Sequence, residues 1–266
     1  MTEARFDVVG IGNAIVDILA QADDVFLSKH DAPKGTMIWV DENQSEAMYN
    51  DVGPAVEVSG GSAANTMAGI ASFGGKPAFI GKIKDDQLGK TFAHDIRAVG
   101  VHFESQALTE GLATARCIIL VTPDAQRTMF TYLGASGSLH ADDMDDDLIT
   151  DSQILYIEGY QWDLPETKKA IISACETAAN AGRKVALTLS DPFVVERHRN
   201  DLFELVNRYV DIVFANELEI TTLFSANSFD EAIEALDGRV DIAALTRGAD
   251  GAVTVTKDTL VQTPAL

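Results

Sequence analysis

The chain has 266 residues and a formal net charge of −21, from 41 Asp and Glu against 20 Lys and Arg. So acidic a surface excludes nucleic acid and anionic membrane as main partners, since both are themselves polyanions. A 46% hydrophobic content is that of a soluble globular protein, long enough for one large domain or for one with an appended lid. No apolar run reaches the roughly 18 residues that a membrane span needs, and "MTEARFDVVGIGN" does not open as a signal peptide. Two distant cysteines, Cys117 and Cys175, read as reduced thiols of a cytoplasmic protein.

Taken in chain order, the first strand is read in "FDVVGIG" (6–12). It runs into "GIGNAIVD", where Gly10 and Gly12 invite a dinucleotide-binding reading. That fingerprint needs a third glycine at the position of Ile15, with a helix following, and has neither. What remains is a strand end presenting Asn13 and Asp17, suited to ligand hydroxyls. A turn held by its own Asn and Asp side chains is the simpler account of the same residues.

Residues 34–58 hold two strand-like pieces, "GTMIWV" and "AVEVS", with no helix expected between them. In "VEVSGGSAANTMAGIASFGG" a helix then opens on Gly60 and Gly61, with a polar Asn65 one turn in. Absent side chains would let a ligand reach the free N–H groups of the helix start; they would equally permit close helix–sheet packing. A strand "PAFIGKI" (77–83), a helix "DQLGKTFAHDIRAVG" and a hairpin around a Pro-Asp turn at 113–133 follow. Segments of about 13–58 and 113–133 thus read as a small β lid inserted into a single α/β domain covering residues 1–266.

The acidic tract "DDMDDD" (142–147) is expected to cap a short helix rather than bind a cation. Beyond it, "QILYIEG" (153–159), "KVALTLS" (184–190), "DIVFAN" (211–216) and "DIAALT" (241–246) alternate with helices such as "PETKKAIISACETAANAG" and "FDEAIEALDG". This is a βαβ pattern: a central, mostly parallel sheet flanked by helices. Asn216 and Glu219 follow the third of these strands, where an amide and a carboxylate three residues apart share a face. They could hold a hydrated Mg²⁺ or simply cap the helix. Thr246, Arg247, Gly248 and Gly251 follow the fourth strand, as a backbone nest for phosphate oxygens or a glycine-rich turn into a hairpin.

In this order, "GNAIVD", "GGSAANTMAGIASFGG", "IGKIKDDQLG", "NELE" and "TRGADG" make the chain resemble the ribokinase-like (PfkB) family of ATP-dependent kinases over nearly its whole length. "GNAIVDIL" and "SDPFVVERHR" look more like its adenosine kinase branch, with nucleoside and sugar kinases, than like fructose-phosphate kinases. The resemblance implies ATP and Mg²⁺ as cofactors and a nucleoside or sugar as acceptor, phosphorylated on a primary hydroxyl, with adenosine the first choice. Asn13 and Asp17 would hold acceptor hydroxyls, and Gly60, Gly61 and Asn65 would line the acceptor pocket. Asn216 and Glu219 would order Mg²⁺ and its waters. Thr246, Gly248 and Gly251 would lie beside ATP with Arg247 nearby. The lid would close over the acceptor and exclude water. A monomer and a homodimer both fit.

One expected part is missing. The family's second signature, a Gly-Ala-Gly-Asp turn opening a long helix, supplies the catalytic Asp and an anion hole. "GADG" at 248–251 leads into a hairpin instead, and the sequence reaches "VQTPAL" about where that signature should begin. Either several dozen C-terminal residues are missing or the chain is a natural non-catalytic relative; the first is expected, because every upstream motif is intact. As it stands the polypeptide should not transfer phosphate appreciably. A nucleoside- or sugar-binding protein without turnover is the alternative function. An NAD-dependent oxidoreductase is disfavoured by Ile15 and by five scattered histidines that form no catalytic constellation.

Overall fold

The computed structural model describes residues 4–265. In chain order, the strands are β1 (Phe6–Ile11), β2 (Ile15–Gln21), β3 (Met37–Trp39), β4 (Ala55–Gly60), β5 (Pro77–Ile80), β6 (Ala115–Val121), β7 (Arg127–Tyr132), β8 (Ser152–Glu158), β9 (Lys184–Thr188), β10 (Ile212–Asn216), β11 (Ile242–Thr246), β12 (Ala252–Thr256) and β13 (Leu260–Thr263). The helices are α1 (Asp24–Lys29), α2 (Glu42–Asp51), α3 (Ser62–Ser72), α4 (Gln87–Ala98), α5 (Asp146–Thr150), α6 (Pro165–Asn180), α7 (Pro192–Arg208), α8 (Glu217–Phe224) and α9 (Phe229–Leu236). They fall into two compact units: Gly12–Leu139, and the residues up to Ile11 together with those from His140 onward.

The second of these units carries the large sheet, in the order β13-β12-β11-β10-β9-β8-β1. β1, β8, β9, β10 and β11 run parallel, and β12 and β13 return antiparallel. This is the mostly parallel sheet flanked by helices that the alternation predicts. Parallel neighbours need a crossover, and the helices between them supply it. Their starts are written in the sequence: Asp191 accepts from the backbone N–H of Phe193, Ser228 accepts from that of Glu231, and Pro165 and Pro192 open α6 and α7. Apolar side chains such as Val185, Leu187, Leu155 and Ile157 fill the interior. The acidic tract caps, as expected: Asp145 accepts from the backbone N–H of Leu148, and Asp143 from that of His140.

The unit Gly12–Leu139 is built on a smaller sheet, ordered β3-β7-β6-β2-β4. β6 and β7 form the expected hairpin. Its turn closes by Ala125 N–H to Thr122 carbonyl, with Asp124 accepting from the Thr122 hydroxyl. One expectation fails here: α2 stands between β3 and β4, where none was foreseen. Asp41 accepts from Gln44 N–H while the Gln44 side chain accepts from Asp41 N–H, a reciprocal cap that fixes the helix start. The predicted strand at 77–83 ends early, at Ile80. Phe79, Phe92 and Phe103 pack ring against ring at 5.3–6.0 Å in this unit's core.

Candidate functional site

In the unit Gly12–Leu139 the candidate residues gather around the start of α3. Asp17 is not in a turn: it sits within β2, opposite Val58 of β4 and Cys117 of β6. Directly opposed residues share a face of a sheet. Trp39, Thr131, Cys117, Asp17 and Val58 therefore form one row across all five strands. The adjacent row is Met37, Met129, Ile119, Leu19 and Val56. Asp17 is thus the one carboxylate in two rows of otherwise uncharged side chains. Burial there pushes its carboxyl up to about 6.

The two glycines have separate duties. A Cβ at Gly60 would overlap the Asp17 carboxylate, and one at Gly61 would overlap the Asn13 carbonyl oxygen. Gly61 also has φ +96°, a backbone region that side chains disfavour, and it caps α3 without any side-chain hydrogen bond. The helix proper begins where Asn65 N–H donates to the Gly61 carbonyl at 2.8 Å. Asn13 is buried, whereas Asn65 is exposed on the first turn. The structure thus joins Asp17 to Gly60 and Asn13 to Gly61, and leaves Asn65 on the surface of the same turn.

In the unit of the large sheet, Asn216 and Thr246 end β10 and β11 in register. The Asn-x-x-Glu pair is a reciprocal cap of α8. Glu219 N–H donates to Asn216 Oδ1 at 2.8 Å. Asn216 N–H donates to Glu219 Oε2 at 2.9 Å, and Asn216 Nδ2 donates to Glu219 Oε1 at 2.8 Å. Glu219 is buried, and burial raises its carboxyl above the usual range, with Asp191 adding to the rise and the Asn216 backbone N–H opposing it. Each of its two oxygens accepts one hydrogen bond from Asn216.

The glycine-rich turn is tight. Arg247 N–H donates to Gly251 O, Asp250 N–H to Arg247 O, and Gly251 N–H to Gly248 O. Gly248 and Gly251 have φ +55° and +88°, and a Cβ at Gly251 would overlap the Thr263 carbonyl. A single turn of 3₁₀ helix then gives way to β12, so "GADG" opens no α-helix, as the sequence reading holds. The Arg247 guanidinium pairs with both Glu217 oxygens, at 2.8 and 3.3 Å, and lies 4.4 Å from the Phe229 ring centre. Its charge is directed at α8 and α9.

Two neighbours, one acidic and one phenolic, escape the motif reading. Glu158 ends β8 and is buried, accepting from Gln161 Nε2 at 3.1 Å. Tyr160 donates to the Ser190 carbonyl, and its hydroxyl is pushed up to about 12, first by burial and then by Asp191, Glu158 and Glu219. The signal that finds them is positional: Glu158, Thr188, Asn216 and Thr246 are each the last residue of a parallel strand, the end where ligands of open α/β sheets collect. Among the described residues no three His, Cys, Asp or Glu side chains stand close enough to hold a metal directly. No helix among them is long and apolar enough to cross a membrane.

Comparison with known proteins bears on this arrangement. The adenosine kinase from Sinorhizobium meliloti superposes with a TM-score of 0.90 at 47% identity, covering 99% of this chain and 81% of that one. A probable sugar kinase from Rhizobium etli CFN 42 gives 0.89 at 42%, covering 99% and 80%. Adenosine kinase 2 of Arabidopsis thaliana is 26% identical over 233 residues, 84% of this chain and 66% of the relative's length. The two solved structures share the fold of this chain, and the three relatives bear the names of adenosine or sugar kinases. The model of the pfkB family carbohydrate kinases matches residues 35–266, and the chain belongs to that family.

Proposed function

We propose that this chain forms the acceptor- and nucleotide-binding parts of a kinase that transfers the terminal phosphoryl group of ATP, with Mg²⁺, to a primary hydroxyl of a nucleoside, adenosine first, or of a sugar. The observation that carries the reading is the Asp17 carboxylate, isolated among uncharged side chains and fitted against a residue that has no side chain. A carboxylate so placed accepts hydrogen bonds from paired hydroxyls, and the flat apolar flanks favour an acceptor that also carries a ring system. That combination supports a nucleoside over a free sugar.

In this reading Asn13, Gly60, Gly61 and Asn65 complete the acceptor side, and Asn216, Thr246, Arg247, Gly248 and Gly251 the nucleotide side. Arg247 acts there as a positioning residue, since Glu217 and Phe229 hold it. The donor set suits Mg²⁺: one buried carboxylate, Glu219, reached through water, with Asp191 and Glu158 adding negative charge. When bound with ATP, Mg²⁺ neutralises charge on the phosphate oxygens. Glu219 would orient its water shell, and Asn216 keeps that carboxylate fixed.

The test is ADP release by the full-length protein with MgATP and, separately, adenosine, other nucleosides and common sugars. Adenosine-dependent ADP release supports the proposal. Saturable adenosine binding without any ADP would instead support a binding relative with no turnover, and binding of neither adenosine nor any sugar would overturn the assignment.

A further inference from the structure

A cavity lies between α6 and α7, built by side chains that the proposed kinase chemistry does not use. Two bridges tie these helices together. The Lys168 ammonium pairs with the Asp201 carboxylate, and the Tyr209 hydroxyl donates to Glu176 Oε1 at 2.8 Å. Each bridge is eight residues from the other on both elements, so the helices run the same way there, about 12 Å apart along their length at 1.5 Å per residue. Between the bridges is a cavity of about 210 Å³, lined by Ile172 and Leu205 and by the Trp162 indole.

Trp162 is 2% exposed, and its Nε1–H has no hydrogen-bond partner among the described residues. A buried donor left unmade is costly, and indole N–H groups usually find an acceptor. Above it, Glu204 and Arg208 stand one turn apart on α7 and both line the cavity. Among the described residues they form no ion pair with each other, and the one partner of Arg208 is the Tyr209 ring, 5.0 Å away. Opposite charges that flank a cavity without joining across it leave both signs available to an occupant.

We propose that this cavity is a binding site for a small α-amino acid with an apolar side chain. The carboxylate accepts from Arg208 and the Trp162 N–H, the ammonium donates to Glu204, and the side chain rests against Ile172 and Leu205. A small ligand is required, because the volume lies below the roughly 300–1,000 Å³ of pockets for drug-sized molecules. Both charges are required too, since an anion alone would face Glu204 and Asp201, and a cation alone Arg208 and Lys168.

Trp39→Phe leaves Trp162 as the chain's single tryptophan, because the sequence holds two. Its emission is followed while leucine, valine and methionine are added to this variant, with isovalerate and isoamylamine as the acid-only and amine-only probes. The expected result is a saturable change with at least one amino acid, at a Kd of about 1 mM or tighter, and at least roughly tenfold weaker binding of both single-charge probes. Arg208→Gln and Glu204→Gln, both at exposed positions, should each weaken it by about tenfold or more. No saturable change with any of the three amino acids, equal binding of either single-charge probe, or unchanged affinity in either variant would overturn the proposal.

Discussion

The Asp17 carboxylate occupies the space in which a side chain at Gly60 would begin. β2 and β4 run side by side there, Ile15 opposite Gly60 and Asp17 opposite Val58, so the acid folds back over the next strand's final residue. Gly60→Ala must displace the carboxylate, for the methyl would meet three of its atoms. Overpacking of this kind costs about 1–3 kcal/mol. We expect urea unfolding to show that loss, and acceptor titration to show weakened binding in the fraction that stays folded.

The ionisation of Asp17 gives a second prediction. Burial raises its carboxyl from 3.8 to about 6, so the folded chain binds a proton more readily than the unfolded chain. Stability therefore falls as pH rises through that window, by up to about 3 kcal/mol at 1.36 kcal/mol per unit. Below the unfolded value the cost is absent; above about 6 it is complete. Asp17→Asn should be more stable than the parent at pH 8, with the gap level down to about pH 6 and narrowing below it toward pH 4 in urea titrations. A gap that stays constant across that range would rule out Asp17 as its source.

For α8 the prediction concerns coupling. Asn216 and Glu219 share three hydrogen bonds, so neither acts alone. Asn216→Ala removes the cap, worth about 0.5–2 kcal/mol, and strands a buried carboxylate as well. Removing Glu219 in the same chain relieves that second cost. The double variant should thus be less damaged than the two single losses summed, by at least about 0.5 kcal/mol in a double-mutant cycle. Strict additivity would mean that the carboxylate gains nothing from Asn216.

Arg247 provides a negative prediction. Because Glu217 takes its Nε–Nη2 edge and Phe229 its face, Arg247→Ala should loosen the packing of α8 against α9. A half-exposed pair of this type contributes about 0–1 kcal/mol. ATP affinity should change no more than it does for Glu217→Ala. A much larger loss in the arginine variant would show direct contact with the nucleotide.

Much of this was legible in the residues. The alternating strands and helices announce a parallel sheet because burial on both faces demands continuous apolar runs, and Val185–Leu187 and Leu155–Ile157 supply them. The glycine pair announces a close approach, and one exists. What the sequence hid was its direction: the approaching groups are the chain's own Asp17 carboxylate and Asn13 carbonyl, which the pairing of β2 with β4 brings against Gly60 and Gly61. α2 escaped notice because it is mostly polar, with Met48 its one buried apolar side chain; the cap at Asp41 and Gln44 was the available sign. Glu158 and Tyr160 belong to no motif. Their association comes from strand ends meeting in three dimensions, which spacing along the chain does not encode.

In the proposed function Asp17 holds the acceptor. Calorimetric titration of adenosine and of ATP into the full-length protein and its Asp17→Ala variant tests it directly. Loss of hydrogen bonds to a charged group is worth about 1.5–3 kcal/mol, roughly 10- to 150-fold in affinity. We predict that loss for adenosine, with ATP affinity nearly unchanged. Unchanged adenosine binding, or equal loss of both ligands in a variant that remains folded, would contradict it.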